Sequence, residues 1–206
     1  MTNIILVRHG EVAGNAGDKM AFVGWGDLPL TEKGERQSRR LAEYLGSEKI
    51  AAVYSSDLQR ARITAQRIAE KQNVEVRVDR DLREVNYGAW ESLGESELLE
   101  NWRDDYHARQ ADPWNVAPSG GESYAQMWAR FFPKWQKVVE AHEGETAVLV
   151  GHNGLIRMLV CHLLSAPFEN FKRVHVSNCG VSRVEIEGEK VLLRVLNDTH
   201  FLPAIL

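Results

Sequence analysis

Two histidines of this chain follow short apolar segments, and their surroundings match. His9 and the preceding Arg8 come directly after the apolar residues 3–7, and His152 comes directly after residues 146–151. Residues at the carboxyl ends of parallel strands meet at one edge of a sheet, where α/β folds bind ligands. A neutral imidazole nitrogen is nucleophilic near pH 7 and can accept a phosphoryl group. The paired histidines therefore indicate phosphate chemistry.

Two arginines strengthen this interpretation. Arg8 and Arg60 both lie just beyond predicted strand ends, so a parallel sheet brings them to the same edge. A guanidinium gives two parallel charge-assisted hydrogen bonds to phosphate oxygens, although Arg60 taken alone also fits a solvated helix position. A metal site is the competing use of paired histidines, but no carboxylate or cysteine stands at ligand spacing to either one. The sequence therefore predicts a site that uses no metal and no cofactor.

These residues need a framework in which strands and helices alternate. Short β-branched segments predict strands at 3–7, 50–54, 74–78 and 146–150, and amphipathic segments predict helices at 32–46, 58–71, 124–141 and 154–164. A hairpin with a glycine turn is predicted to join residues 181–186 to 191–196. Thr31 and residues 55–57 are the candidate caps of the first two helices. This order predicts a three-layer α/β/α fold whose sheet is mainly parallel, with an antiparallel hairpin near the C-terminus.

The chain is short enough to form one domain, residues 1–206. Residues from about 91 to 120 are polar, aromatic and rich in turn residues, which predicts an irregular flap over the site. The predicted helix after this segment carries an apolar stripe that favours core packing. Its members are Met127, Phe131, Trp135 and Val138.

Composition excludes several classes of function. The formal net charge is -4 and the isoelectric point is near 6.0, which argues against nucleic-acid binding. No apolar stretch reaches the roughly 20 residues that span a bilayer, and the N-terminus lacks the layout of a signal peptide. The two cysteines, Cys161 and Cys179, have neither disulfide-framework nor zinc-knuckle spacing. We therefore expect a cytoplasmic protein that binds neither nucleic acid nor membrane.

Blocks of residues along the chain resemble the histidine phosphatase superfamily, which includes the cofactor-dependent phosphoglycerate mutases. They occur in the family's order over nearly the whole chain, at residues 6–11 with Asn15, 27–34, 54–61, 82–84 with 87–91, 121–123 and 150–152. Two departures bear on the substrate. Val12 stands where the family often has Ser or Thr, and the loop from Asn15 to Gly24 is longer, with Lys19 as the candidate for a displaced basic residue.

The resemblance implies a role for each matching residue. His9 resembles the nucleophile that becomes phosphohistidine, and Glu84 resembles the general acid that protonates the leaving alcohol. Three further residues resemble the groups that surround the phosphoryl oxygens in the family: Arg8, Arg60 and His152. Further phosphate contacts are expected at Asn15, Gly24 and the backbone of Asn153.

The family divides into phosphatases and mutases, and this chain is more similar to the phosphatase branch. The segment from Glu84 to Gly121 is compact, and residues 177–180 and 196–200 are similar to that branch. The expected activity is hydrolysis of a small phosphorylated metabolite, with α-ribazole 5'-phosphate and phosphoserine as candidates. A 2,3-bisphosphoglycerate-dependent phosphoglycerate mutase is the alternative, and a non-catalytic phosphate-binding regulatory module is a lesser one. The sequence leaves a homodimer open.

Overall fold

The structure, a computed structural model, describes residues 1–15 and 21–202. Lys19 lies outside the described residues, and so does the side chain of Asn15. The predicted phosphate contact of Asn15 therefore stays a prediction. Gly24 and the other predicted site residues lie within the described part of the chain.

Six strands form one mixed sheet in the order β3-β2-β4-β1-β5-β6. The first four strands in this order are parallel to one another, and β5 and β6 add antiparallel pairing at one end. The strands are β1 (Thr2–Arg8), β2 (Ala52–Ser55), β3 (Val76–Val78), β4 (Thr146–Gly151), β5 (Val181–Glu187) and β6 (Lys190–Asp198). The prediction of a mainly parallel sheet with a C-terminal antiparallel hairpin is confirmed.

Strand register places the predicted site residues side by side. Arg8 pairs with Gly151 in the parallel ladder of β1 and β4, so His9 and His152 leave the sheet next to each other. Ser55 pairs with Val150 across β2 and β4, which brings the end of β2 to the same edge. The three chain segments that carry the site therefore start from adjacent strands.

Helices cover both faces of the sheet. Ile5 and Val7 of β1 pack with α1 and α2, whereas Ile4 and Leu6 pack on the opposite face with α5 and α6. Alternate side chains of one strand are thus buried in two different cores, which explains why β1 is apolar throughout. The helices are α1 (Glu32–Tyr44), α2 (Gln59–Gln72), α3 (Glu95–Asn101), α4 (Arg103–Ala111), α5 (Tyr124–Ala141) and α6 (Asn153–Leu163).

Local signals in the sequence set several helix boundaries. Thr31 caps α1 as predicted, because its hydroxyl accepts a hydrogen bond from the Gly34 amide at 3.0 Å. The apolar stripe of α5 is buried as predicted: Met127, Phe131, Trp135 and Val138 all lie in one core. Ser123 and Gln126 cap the start of α5 reciprocally.

Two local predictions are wrong. Residues 55–57 do not cap α2; instead the carboxylate of Asp27 accepts a hydrogen bond from the Gln59 amide at 2.7 Å. The predicted irregular segment contains α3 and α4, whose apolar side chains Leu98 and Tyr106 pack with Trp90 in a small separate core. Whether this segment acts as a flap, and whether residues 1–206 work as one domain, remain predictions.

No helix among the described residues is long and apolar enough to cross a membrane.

Candidate active site

A cavity of about 190 Å³ lies at the carboxyl ends of β1 and β4. Seven of the eight predicted site residues line it, and the eighth is Asn15, whose side chain is not described. The seven are Arg8, His9, Gly24, Arg60, Glu84, His152 and Asn153, and Ala21, Phe22, Val23 and Tyr87 complete the wall. Its volume is below the roughly 300–1,000 Å³ of pockets for drug-sized ligands, which suits a phosphoryl group and part of a small leaving group.

The imidazole of His9 is held in one tautomer. Its Nδ1 lies 2.6 Å from the carbonyl oxygen of Gly10, and a carbonyl only accepts, so Nδ1 carries the proton. Burial and the nearby guanidinium of Arg60 lower the pKa of His9 well below its usual value. The ring is therefore neutral near pH 7, and Nε2 keeps its lone pair. This protonation pattern leaves Nε2 as the ring nitrogen able to act as a nucleophile.

Arg60 is almost fully buried, with 1% of its surface exposed, and it organises three parts of the site. Its Nε donates to Nε2 of His9 at 3.3 Å, while its terminal nitrogens each donate to a carbonyl oxygen at 2.6 Å, those of Gly24 and Gly26. Burial lowers the pKa of Arg60 to about 10, which leaves it charged at neutral pH. Each terminal nitrogen has a second N–H besides the one bound to its carbonyl oxygen.

Gly24 contributes through its backbone. Its φ of +43° lies in the left-handed region, and a Cβ at this position would collide with the carboxylate of Glu91. The same carboxylate accepts hydrogen bonds from the amides of Trp25 and Tyr87. A glycine is therefore required where the chain turns to present the carbonyl that holds Arg60.

Arg8 has donor capacity that the protein does not use. Its Nη1 donates to the carbonyl oxygen of Val176 at 2.8 Å, and its buried Nε has no hydrogen-bond partner among residues 1–15 and 21–202. Burial lowers the pKa of Arg8, and the nearby Glu84 carboxylate opposes that shift. An unsatisfied buried guanidinium nitrogen at the cavity wall is suited to bind an anionic oxygen.

His152 is fully buried beside His9, with the two ring centroids 5.1 Å apart. Its Nε2 lies 2.7 Å from the hydroxyl oxygen of Ser56, and its Nδ1 has no hydrogen-bond partner in the described part of the chain. Burial and Arg60 lower the pKa of His152 well below its usual value, so this ring is also neutral. His152 thus lines the cavity with one ring nitrogen that is not used by the described protein.

Glu84 is held at both its carboxylate and its backbone. One carboxylate oxygen accepts from the Val85 amide at 2.9 Å, and the other accepts from the Gly154 amide in the first turn of α6 at 2.8 Å. Its carbonyl oxygen accepts from Trp25 Nε1 at 2.7 Å and from Arg130 at 2.8 Å. These four contacts fix the carboxyl group at the wall of the cavity.

The Gly154 contact bears on the predicted backbone donor near Asn153. Because α6 begins at Asn153, its first amides have no partners within the helix. The carboxylate of Glu84 takes the Gly154 amide, and Asn153 itself lines the cavity. The N-terminal end of α6 thus meets the site, a position that favours bound anions.

Sequence reasoning missed several supporting residues. Ser56 directly follows β2, the same strand-end position that singled out His9 and His152, so a signal for it was present. Thr64, whose hydroxyl contacts the amide of Gly10 and the carbonyl of Arg60, had no such signal. Trp25 had no such signal either: its indole Nε1 donates to the Glu84 carbonyl from a loop 59 residues away in the sequence.

The described residues contain no group of three or more His, Cys, Asp and Glu side chains placed to hold a metal ion. The two histidines of the cavity are instead accompanied by Arg8 and Arg60. Two neutral imidazoles, two guanidinium groups and one carboxyl group suit transfer of a phosphoryl group.

Comparisons with known proteins identify the family. The family model described as "Histidine phosphatase superfamily (branch 1)" matches residues 4–199. Phosphoserine phosphatase 1 of Hydrogenobacter thermophilus is 31% identical over 202 residues, covering 98% of this chain and 95% of that protein. Phosphoglycerate mutase-like protein 4 of Arabidopsis thaliana is 42% identical over 202 residues, covering 97% of this chain and 86% of that protein.

A solved structure agrees with these matches. The alpha-ribazole phosphatase from Shigella flexneri superposes with a TM-score of 0.86 at 26% identity, covering 95% of this chain and 96% of that one. The family model and these relatives extend over nearly the whole chain and over the elements that carry the cavity. This chain therefore belongs to branch 1 of the histidine phosphatase superfamily.

Proposed function

We propose that this chain is a phosphomonoesterase that hydrolyses a small phosphorylated metabolite through a phosphohistidine intermediate on His9. One observation carries the proposal: a neutral, buried His9 with an unprotonated Nε2 lines the same cavity as Arg8, Arg60, His152 and Glu84. Members of this family are phosphatases or mutases, and both begin by transferring a phosphoryl group to the enzyme.

In the first step, the lone pair of His9 Nε2 attacks phosphorus and the bond from phosphorus to the ester oxygen breaks. The Nδ1 proton stays on the ring, where the Gly10 carbonyl stabilises the developing positive charge. Glu84, which must enter this step protonated, gives its proton to the leaving oxygen because an alkoxide is a poor leaving group. Arg8 and Arg60 stabilise the negative charge on the transferring group.

In the second step, water attacks the phosphorus of phosphohistidine. The Glu84 carboxylate accepts a proton from this water, and the bond from nitrogen to phosphorus breaks, returning its electron pair to Nε2. The products are an alcohol and inorganic phosphate. Both histidine and carboxylic acid return to their starting states.

The choice between phosphatase and mutase depends on the acceptor of the second step. The compact segment from Glu84 to Gly121 supports water as the acceptor, and so do relatives named phosphoserine phosphatase and alpha-ribazole phosphatase. These names also supply the two candidate substrates, phosphoserine and α-ribazole 5'-phosphate. The name of the relative from Arabidopsis thaliana supports the mutase alternative.

The decisive experiment is a panel of phosphorylated metabolites and p-nitrophenyl phosphate, each assayed for phosphate release with EDTA present. In parallel, 3-phosphoglycerate is assayed for isomerisation with and without 2,3-bisphosphoglycerate. We expect phosphate release, an acid-labile phosphate on the protein, and loss of both in His9→Ala. His107→Ala, which replaces an exposed histidine of α4, is the matched control and should keep both.

Three outcomes would contradict the proposal. Isomerisation faster than phosphate release identifies a mutase. Activity that EDTA abolishes and Mg²⁺ or Zn²⁺ restores identifies metal-assisted hydrolysis. Binding of phosphate esters without any turnover identifies the regulatory module. A cytoplasmic location, a homodimer and the lack of nucleic-acid and membrane partners remain predictions for separate measurement.

A further inference from the structure

A second cavity, of about 170 Å³, lies beside the first and shares a wall with it. Phe22 and Tyr87 line both cavities, with their rings in an edge-to-face contact 4.8 Å apart. The second cavity also receives three basic side chains, Arg109, Arg157 and Lys172. None of the described residues that line it is acidic, so its lining carries a net positive charge.

Arg109 is the innermost of these basic residues, with only 5% of its surface exposed. Its Nη1 donates to the carbonyl oxygen of Val116 at 2.6 Å, whereas its buried Nη2 has no hydrogen-bond partner in the described part of the chain. The guanidinium lies over the rings of Tyr87 and Tyr124, with its central carbon 5.3 and 5.2 Å from their centroids. A buried charged donor without an acceptor is costly, and an anionic ligand would satisfy it.

Arg157 and Lys172 reach the cavity from other elements. Arg157, on α6, donates from Nε to the carbonyl oxygen of Phe171 at 2.7 Å, and its guanidinium lies over the Phe171 ring. Lys172 is exposed, and its Nζ lies 3.0 Å from the side-chain oxygen of Gln110. Neither residue forms an ion pair with the described residues, so both cations are available to an anion in the cavity.

We propose that this cavity, the basic subsite, binds an anionic group on the leaving part of the substrate, either a carboxylate or a second phosphate. The inference rests on the proposed function, because it assigns the phosphoryl group to the His9 cavity and the second anion to its neighbour. The guanidinium of Arg109 provides the planar donor geometry that carboxylates and phosphates match. The aromatic walls lower the local dielectric and so strengthen these contacts.

Binding to the His9→Ala variant tests the basic subsite without turnover. The probes are ω-phosphooxy carboxylates of three to six carbons, the matching ω-phosphooxy alcohols, and the matching alkanediol bisphosphates, each titrated by calorimetry. For at least one chain length, we expect an anionic probe to bind at least about tenfold more tightly than the alcohol, since charge-assisted hydrogen bonds support such ratios. The carboxylate and bisphosphate series show which anion is preferred.

Substitutions then locate the effect on the His9→Ala background. The preference is the dissociation constant of the alcohol divided by that of the matching anionic probe. Lys172→Met and Arg109→Met should each reduce this ratio to less than about half of its starting value. Arg173→Met is the matched control, because Arg173 is the exposed neighbour of Lys172 and does not line the basic subsite. It should leave the preference unchanged. Lys172 is exposed, so its variant provides a result even where Arg109→Met does not fold.

The failures of the two proposals are distinguishable. Equal dissociation constants for alcohols and anionic probes at every chain length would overturn the basic subsite. An equal reduction of the preference by Lys172→Met and Arg173→Met would also overturn it. That result would show that the preference depends only on the overall charge of the protein surface and not on contacts in the basic subsite. A wild-type protein that releases no phosphate from any ester would overturn the proposed function, whereas a preference in these titrations would still support the anion site.

Discussion

Arg60 and His9 are joined by a hydrogen bond from Nε to Nε2 across 3.3 Å, so the buried guanidinium is bound to the atom proposed as nucleophile. Because the Gly10 carbonyl keeps the proton on Nδ1, the lone pair on Nε2 is directed toward Arg60. A phosphoryl group that bonds to Nε2 replaces this contact. In the proposed mechanism, the freed N–H becomes available to a phosphoryl oxygen as negative charge develops there.

This relationship predicts a large effect of Arg60→Lys. Lysine keeps the charge but lacks the fork that holds the Gly24 and Gly26 carbonyls while contacting His9. We expect kcat/KM to fall at least about a hundredfold, roughly 2.7 kcal/mol of transition-state stabilisation. Steady-state kinetics against Arg62→Lys, an exposed position on the same helix, checks this. Similar kinetics for the two variants would remove Arg60 from the site.

Glu84→Gln tests the general acid. The amide cannot donate a proton to the leaving oxygen, so alkyl esters should react much more slowly, while p-nitrophenyl phosphate needs little protonation and should be affected less. The measurement is single-turnover phosphorylation of His9, because steady-state rates also contain the hydrolysis step. Equal losses for both kinds of ester in that step would show that Glu84 has another role.

Ser56→Ala tests the residue that holds His152. Loss of the hydroxyl leaves Nε2 of a fully buried ring without a partner and frees the ring to rotate. We expect kcat/KM to fall between about tenfold and a hundredfold, as for other small misplacements of site groups. Ser55→Ala is the control, because Ser55 is equally buried but donates to the Ser56 carbonyl instead. The idea fails if Ser55→Ala lowers kcat/KM as much as Ser56→Ala does.

The two buried histidines also predict how stability depends on pH. Burial and Arg60 hold the pKa values of His9 and His152 well below the usual imidazole value, whereas both titrate near 6.5 in the unfolded chain. Below that pH the unfolded chain binds protons that the folded chain does not, so stability falls as the pH decreases.

Between pH 7 and pH 5.5, this linkage lowers the stability of the wild type through both histidines, on the order of 1 kcal/mol for each. Urea unfolding at both pH values should therefore show that a His9→Ala, His152→Ala double variant loses about that much less stability than the wild type. The comparison uses the change with pH within each protein, so any constant destabilisation by the substitutions cancels. Equal losses in the two proteins would mean that these rings take up protons as readily in the folded chain as in the unfolded chain.

Much of the fold could be predicted because its signals are local. Apolar segments such as residues 3–7, the cap at Thr31 and the stripe on α5 depend on neighbours within a few turns, so their interpretation needed no tertiary contact. The segment holding α3 and α4 was predicted as irregular because these helices are short and polar. Their stabilisation comes from packing on Trp90, which local periodicity does not reveal.

The sequence by itself determined the candidate site residues. His9, Arg60, Glu84 and His152 stand in recognisable positions after strands or within family-like blocks, and all four line one cavity. Only the tertiary structure decided how they work together. The register of β1, β2 and β4 brings Ser56 to His152 across 96 residues of sequence. The same packing buries both histidines and so sets their neutral state. Protonation and pairing depend on burial and distance, which arise only when distant segments assemble.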